Sequence, residues 1–250
     1  MTIYQSINIY LSIIKKVAGS SRYNLTYKTI DYRKDDITMN KREASQLLKL
    51  LNAKNYMELE NILKNTVKEL ELKELHGNTF TKGIKAYKKQ LKKMNNRPIL
   101  QYCHYENGIQ YATDSYTAIA LNAEYHTDLI EYHNNENGTY PTIAEFFPNS
   151  EHGEIIDINL NHVAEPLVTD DCLYKIIGIP FKGNDTIFLN ADYVKTMLQV
   201  FGNDATFKAY GTHRPVLIES ERGRGLIVPI RPTDTLKTKW NEKINNEMNA

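Results

Sequence analysis

The sequence predicts an α+β fold of antiparallel strands and amphipathic helices, and three observations predict it. Residues 81–94 place Ile84, Tyr87, Leu91 and Met94 at helical spacing, so one apolar face runs along a helix. Asn107-Gly108 lies between two short apolar segments and is the strongest short-range signal for a β-hairpin. Residues 185–232 then follow the order strand, helix, three strands, with Gly202 and an Arg-Gly-Arg-Gly turn as punctuation.

Residues 1–38 read as an extension. Within it Ile3 to Val17 suits a short helix and Tyr23 to Tyr32 alternates like a strand. Met39 stands just before a helix start, because Asn40-Lys-Arg-Glu43 has the form of a capping box. Leu47, Leu48, Leu50 and Leu51 supply an apolar face, and Asn52 to Asn55 breaks it. A second helix runs from Tyr56 to Leu75 on Leu59, Ile62, Leu63, Val67 and Leu70, and His76-Gly77-Asn78 ends it. Residues 39–79 are thus expected to form a helical hairpin.

The helix of residues 81–94 stops at Asn95-Asn96, and strands are expected over 99–105 and 110–113, then the apolar run 117–121. Residues 122–153 are rich in Asn, Glu, His and Gly and contain Tyr140-Pro141 and Phe147-Pro148, so they read as a surface connector. Regular structure is expected to resume over 154–160, followed by a turn or short helix to Leu167 and by strands near 173–179 and 186–189. Asn190 caps a helix over 191–201 whose core face is Val194, Met197, Leu198 and Phe201. Strands 205–209, 216–219 and 226–230 complete the set. Pro215 suits a strand start, where no ladder N–H is needed, and Arg222 to Gly225 reads as the tight turn. Residues 233–250 read as a loosely docked polar tail, with Trp240 as its one large apolar residue.

Composition bounds the function. The 250 residues are 41% hydrophobic and 24% charged, an ordinary globular balance. Net charge is +1, so attraction to nucleic acid has to come from local segregation of charge. The two cysteines, Cys103 and Cys172, lack metal-type spacing and are expected to be reduced thiols. The longest apolar stretch, Ile7 to Ile14, is far too short to span a bilayer, and its lysines follow it rather than precede it as a signal peptide requires. No membrane association and a cytoplasmic location are expected. Glu124-Tyr-His126 and Glu131-Tyr-His133 repeat at a spacing of seven, and His104, His152 and His162 lie elsewhere. None has the i, i+3 or i+4 arrangement of a zinc site. The chain carries no nucleophile elbow, phosphate-loop glycine pattern or paired catalytic carboxylates, and a non-enzymatic role with no cofactor is expected.

Two blocks carry a family resemblance. One is the lysine-rich helix followed by Arg97-Pro-Ile-Leu100, the Asn107-Gly108 hairpin and Tyr111-Ala-Thr-Asp-Ser115. The other is Phe188 to Gly202 followed by Arg214 to Pro232, with its Pro-Val-Leu-Ile strand and Val228-Pro-Ile-Arg231 ending. Between them lies Tyr140-Pro-Thr-Ile-Ala-Glu-Phe-Phe-Pro148. In this order they resemble the bacterial DNA polymerase III beta subunit, the sliding clamp, in a shortened version of the kind a phage or other mobile element encodes. The resemblance covers roughly residues 80–232. It implies a clamp-like domain of antiparallel sheets with two helices on one face. The family departs from this chain in having three tandem domains and no counterpart of the hairpin at 40–75. A short subunit has to self-associate to close a ring.

The resemblance also implies two sites. Clamp helices line the hole, where a row of cations touches phosphates without reading bases. Lys82, Lys85, Lys88, Lys89, Lys92 and Lys93 are the matching positions, and double-stranded DNA is the implied ligand. A groove near the carboxyl end of the clamp takes short peptide motifs of polymerases and other replication proteins. Val216, Ile218, Val228, Pro229, Ile230 and Arg231 are its counterparts here. The expected role is therefore a replication accessory tethering a polymerase to DNA. One alternative is a clamp-mimicking protein that captures host replication proteins without encircling DNA. Another is a DNA-binding regulator built on the 40–75 hairpin.

Overall fold

The computed structural model describes residues 56–133, 138–159, 161, 166–169, 172–183 and 185–248. The extension at 1–38 and the first arm of the expected hairpin lie outside the described residues. The chain divides into two units, Met1–Lys68 and Glu69–Ala250. Of the first, residues 56–68 are described; they begin α1, where Thr66 Oγ1 donates to the Ile62 carbonyl at 2.9 Å.

Helix α1 spans Tyr56–Leu91 and is broken at Gly77, whose φ of 83° and ψ of 167° no helix contains. The break reverses the chain. Lys85 Nζ lies 2.9 Å from Glu69 Oε1, although a straight helix separates residues sixteen apart by about 24 Å. Residues 69–76 therefore run back beside 78–91. Thr81 Oγ1 holds the reversal by donating to the Gly77 carbonyl at 3.0 Å.

A seven-stranded antiparallel sheet follows, made of β1 (His104–Glu106), β2 (Ile109–Thr113), β3 (Thr117–Leu121), β4 (Glu154–Ile156), β8 (Thr206–Ala209), β9 (Val216–Ser220) and β10 (Gly223–Ile227). Its order is β1-β2-β3-β10-β9-β8-β4. The Asn107-Gly108 turn has positive φ at both residues (50° and 76°), as a two-residue hairpin turn requires. Pro98–Gln101, expected to open a strand, forms a 3-10 turn instead, because Pro98 offers no ladder donor. The next turn rests on Asp114, whose Oδ1 accepts from the Tyr116 and Thr117 amides at 3.0 and 2.7 Å. Ile119 of β3 pairs with Gly225 of β10 at the centre of the sheet. About this pair the strands β1-β2-β3 and β8-β9-β10 mirror each other's order, and each trio is preceded by a helix.

A second, three-stranded sheet holds β5 (Leu167–Thr169), β6 (Cys172–Pro180) and β7 (Thr186–Asn190). Helix α2 (Ala191–Phe201) follows β7 directly. Asn190 Oδ1 caps it, accepting from the Asp192 and Tyr193 amides, and Gly202 ends it. Both helices of the mirrored halves pack on one face of the large sheet. Phe80, Ile84, Tyr87 and Leu91 of α1 share a buried cluster with Val194, Met197, Leu198 and Phe201 of α2. Ile119, Val216, Ile218 and Ile227 of the sheet belong to the same cluster. The helices touch at Gly83, where a Cβ would stand 2.8 Å from the backbone of Val200, closer than any real contact. Tyr87 reaches through this layer to donate to the Ala112 carbonyl at 3.0 Å.

Two expectations are corrected. The connector at 122–153 does not simply lie on the surface: it buries Leu129, Tyr140 and Ile143 and adds a strap beside Cys103, whose amide donates to Ile130 O at 2.8 Å. The polar tail is helix α3, Asp234–Met248, whose Leu236 is buried and whose Trp240 packs edge-on against Phe188. An amphipathic pair four residues apart is enough to seat a turn of helix on an apolar sheet face.

Candidate functional site

The six lysines of the basic helix do not share one environment. Lys82, Lys85 and Lys89 project from α1, while Lys92 and Lys93 follow its end; these five are exposed and Lys88 is half-buried. Lys85 pairs with Glu69 and Lys88 pairs with Asp128. Lys82, Lys89, Lys92 and Lys93 form no ion pair among the described residues. The Lys85 pair is solvent-exposed on both sides, so it contributes at most about 1 kcal/mol and does not tie the ammonium down. Reversal at Gly77 brings Glu69 to the lysines, and only tertiary structure determines that juxtaposition.

The residues expected to line the carboxyl-terminal groove separate into three places. Val216 and Ile218 are fully buried beneath the two helices and cannot line an open groove. Side chains alternate along β9, and this alternation turns both residues toward the helices. Ile230 packs with Phe188, Leu236 and Trp240, and its amide donates to the Phe188 carbonyl at 2.7 Å. Pro229 before it is half-buried, and Arg231 after it is exposed beside α3. Val228 alone meets the expectation of an open apolar wall. It is 39% exposed, and its amide donates to the Tyr116 carbonyl at 2.8 Å.

Val228 borders a groove of about 580 Å3 on the face of the large sheet opposite the helices. Leu226 and Ala118 form its floor, Pro141, Ile143 and Phe146 form one wall, and Tyr116 stands at its lip. Tyr116 is 55% and Phe146 66% exposed, an uncommon cost for large apolar groups that sit together. Arg97 supplies the cation of the rim and donates to Ser115 Oγ at 3.1 Å. Sequence reasoning missed Tyr116, Ile143 and Phe146 as groove residues. The signal was present as an apolar run, residues 140–148, inside an otherwise polar connector.

The connector is held over this face by charge. Arg224 donates to the Pro148 carbonyl at 2.8 Å and lies 5.2 Å above the Phe147 ring. Glu219 accepts from Lys208 at 2.8 Å and also from Ser150, which follows Pro148 in the connector. Partial burial pushes the Glu219 carboxyl up. The bonds from Lys208 and Ser150 and the charges of Lys208 and Arg224 outweigh it and hold the group below the ordinary glutamate value. Arg222 serves the other face, donating to Val200 O at 2.9 Å at the end of α2 and stacking on Phe80. Both arginines of the Arg-Gly-Arg-Gly segment thus act within the fold. The turn itself falls at Glu221 and Arg222, and Gly223 already belongs to β10.

The groove thus combines apolar walls, one rim guanidinium and the exposed side chain of Val228. Among the described residues no group of three His, Cys, Asp or Glu is placed to hold a metal, and no helix is long and apolar enough to cross a membrane. A scan against protein-family models finds no family that matches this chain, and a search of curated proteins finds no match either.

Proposed function

We propose that this protein is a non-enzymatic replication accessory that tethers a partner to DNA in the manner of a sliding clamp. The observation that carries the reading is the chemical difference between the two sides of the large sheet. Two helix-plus-three-strand halves meet antiparallel at β3 and β10 and set both helices, with Lys82, Lys85 and Lys89, on one side. The apolar groove at Val228 opens on the other. Cations on one side contact phosphates without reading bases, and the groove on the other takes a partner's apolar motif, so both engage at once.

The test is Lys85, Lys89 and Lys92 changed together to Glu. DNA retention is expected to fall by at least tenfold with the fold retained, since all three side chains are exposed and the Lys85–Glu69 pair contributes at most about 1 kcal/mol. Unchanged DNA retention overturns the tethering reading. Size-exclusion chromatography with light scattering bears on ring closure: a strict monomer with and without DNA rules out an autonomous ring. The ion pairs of Lys85 and Lys88 favour a second reading, a clamp-mimicking interaction protein. That reading keeps the groove and loses the DNA role, and the lysine variant separates the two.

A further inference from the structure

A second cavity, of about 530 Å3, opens where α3 meets β7 and the turn after β8, away from the lysines and from the Val228 groove. Its walls combine cations with aromatic rings. Arg231 and Lys237 bring two positive charges, His213 an imidazole, and Asp185 the one carboxylate. Arg231 has no ion-pair partner among the described residues. Lys237 reaches only the fully exposed Asp234, at 3.8 Å. The cavity therefore holds cationic charge that the wall does not neutralise. Thr186 and Thr212 add hydroxyls.

The aromatic part is fixed rather than incidental. Trp240 lies over Gly178, where a Cβ would stand 2.6 Å from the indole, and its ring meets Phe188 edge-on at 6.0 Å. Gly178 and Phe188 are register partners on β6 and β7, so the sheet itself forms the seat of the indole. A guanidinium, an ammonium and hydroxyls match phosphate oxygens, while the half-buried indole, backed by the buried Phe188, matches a flat base. The volume lies within the range of small-ligand sites.

We propose that this cavity binds a nucleotide, its phosphate held by Arg231 and Lys237 and its base placed against Trp240. The same chemistry is offered by a free mononucleotide and by the end of a single strand. The inference is independent of the clamp reading, since it uses neither the lysine helix nor the Val228 groove.

Trp240 is the only tryptophan of the chain, so its fluorescence reports on this cavity alone. AMP titrated into the full chain, with excitation at the red edge of the indole band, is expected to give a saturable change. Adenosine and inorganic phosphate should each bind at least tenfold more weakly. The double variant Arg231→Glu, Lys237→Glu should weaken AMP by at least tenfold at an unchanged melting temperature, because both side chains are exposed. Gly178→Val, which displaces the indole, should abolish the signal, and equilibrium dialysis should show the AMP affinity itself lost. Competition by a 5′-phosphorylated oligothymidylate tighter than AMP assigns the source to a strand end, and weaker competition assigns it to the free nucleotide. No saturable binding of AMP overturns the proposal. So does adenosine or phosphate binding as tightly as AMP, or an unchanged affinity in the folded double variant.

Discussion

The two faces of the seven-stranded sheet are built from the same strands and differ in what covers them. On one side, two regular helices lay Ile84, Tyr87, Val194 and Phe201 over Ile119, Val216, Ile218 and Ile227, and all eight are fully buried. On the other, an irregular connector covers Tyr111, Ala120 and Leu217 but leaves Tyr116, Phe146 and Val228 in the open. A helix presents a continuous apolar stripe and closes the face completely. A connector with short 3-10 turns contributes apolar side chains only at intervals, and the gap between its anchors becomes the groove. One face is therefore closed by packing, and the other leaves apolar surface in the open.

The largest effect expected from this contrast is Ile218→Asp. A carboxylate among the helix-side residues has no partner, and the cost, above about 4 kcal/mol, should remove the cooperative thermal transition seen by circular dichroism. A well-folded Ile218→Asp protein would mean that the helix-covered face is not closed.

A smaller effect concerns the anchor of the connector. The Glu219 carboxyl lies below its ordinary value in the folded state, so its contribution to stability is fully present above about pH 4.5. That contribution is lost as pH falls through the lowered folded value. Glu219→Gln should be less stable than the parent at neutral pH, and the difference between their melting temperatures should shrink as pH drops below 4.5. A difference independent of pH would show that the charge is not what holds the connector.

The smallest change in stability is expected at the groove. Val228→Asp puts its charge where water reaches, and the unfolding free energy should change by no more than about 0.5 kcal/mol. On the proposed clamp reading, a clamp-binding-motif peptide should nonetheless bind at least tenfold more weakly, as a charge on a desolvated contact demands. Equal peptide affinity in parent and variant would place partner binding elsewhere on the molecule.

What could be read from the sequence divides along the same physical line. Local signals, which depend on residues within a few positions of one another, were legible. Asn107-Gly108 specified its hairpin turn, Asn190 and Gly202 bounded α2, and the break at Gly77 followed from His76-Gly77-Asn78. The α+β class with antiparallel strands followed from those elements. Three places within reach of local reasoning differed: Pro98–Gln101 took a 3-10 turn, the turn expected over Arg222 to Gly225 fell at Glu221 and Arg222 so that β10 begins at Gly223, and the helix α3 formed where only polar composition was visible. Trp240 was the clue to α3, yet its seat on Gly178 lies 62 positions earlier in the chain.

The sequence by itself determined which residues are apolar and at what period they recur; only tertiary structure decided which side of the sheet each apolar residue faces and what covers it. Alternation along β9 and β10 guarantees two sets of side chains without naming the helix side. Pairing β3 with β10 and laying α1 across α2 at Gly83 sends Val216 and Ile218 inward. Val228, one residue past the last pair of β10, still donates its amide to the Tyr116 carbonyl but leaves its side chain open. The lysines follow the same rule. Their spacing is local, but the acidic neighbours of Lys85 and Lys88 arrive through the chain reversal and through the connector. Long-range placement of this kind depends on the joint packing of distant segments, which no window of sequence contains.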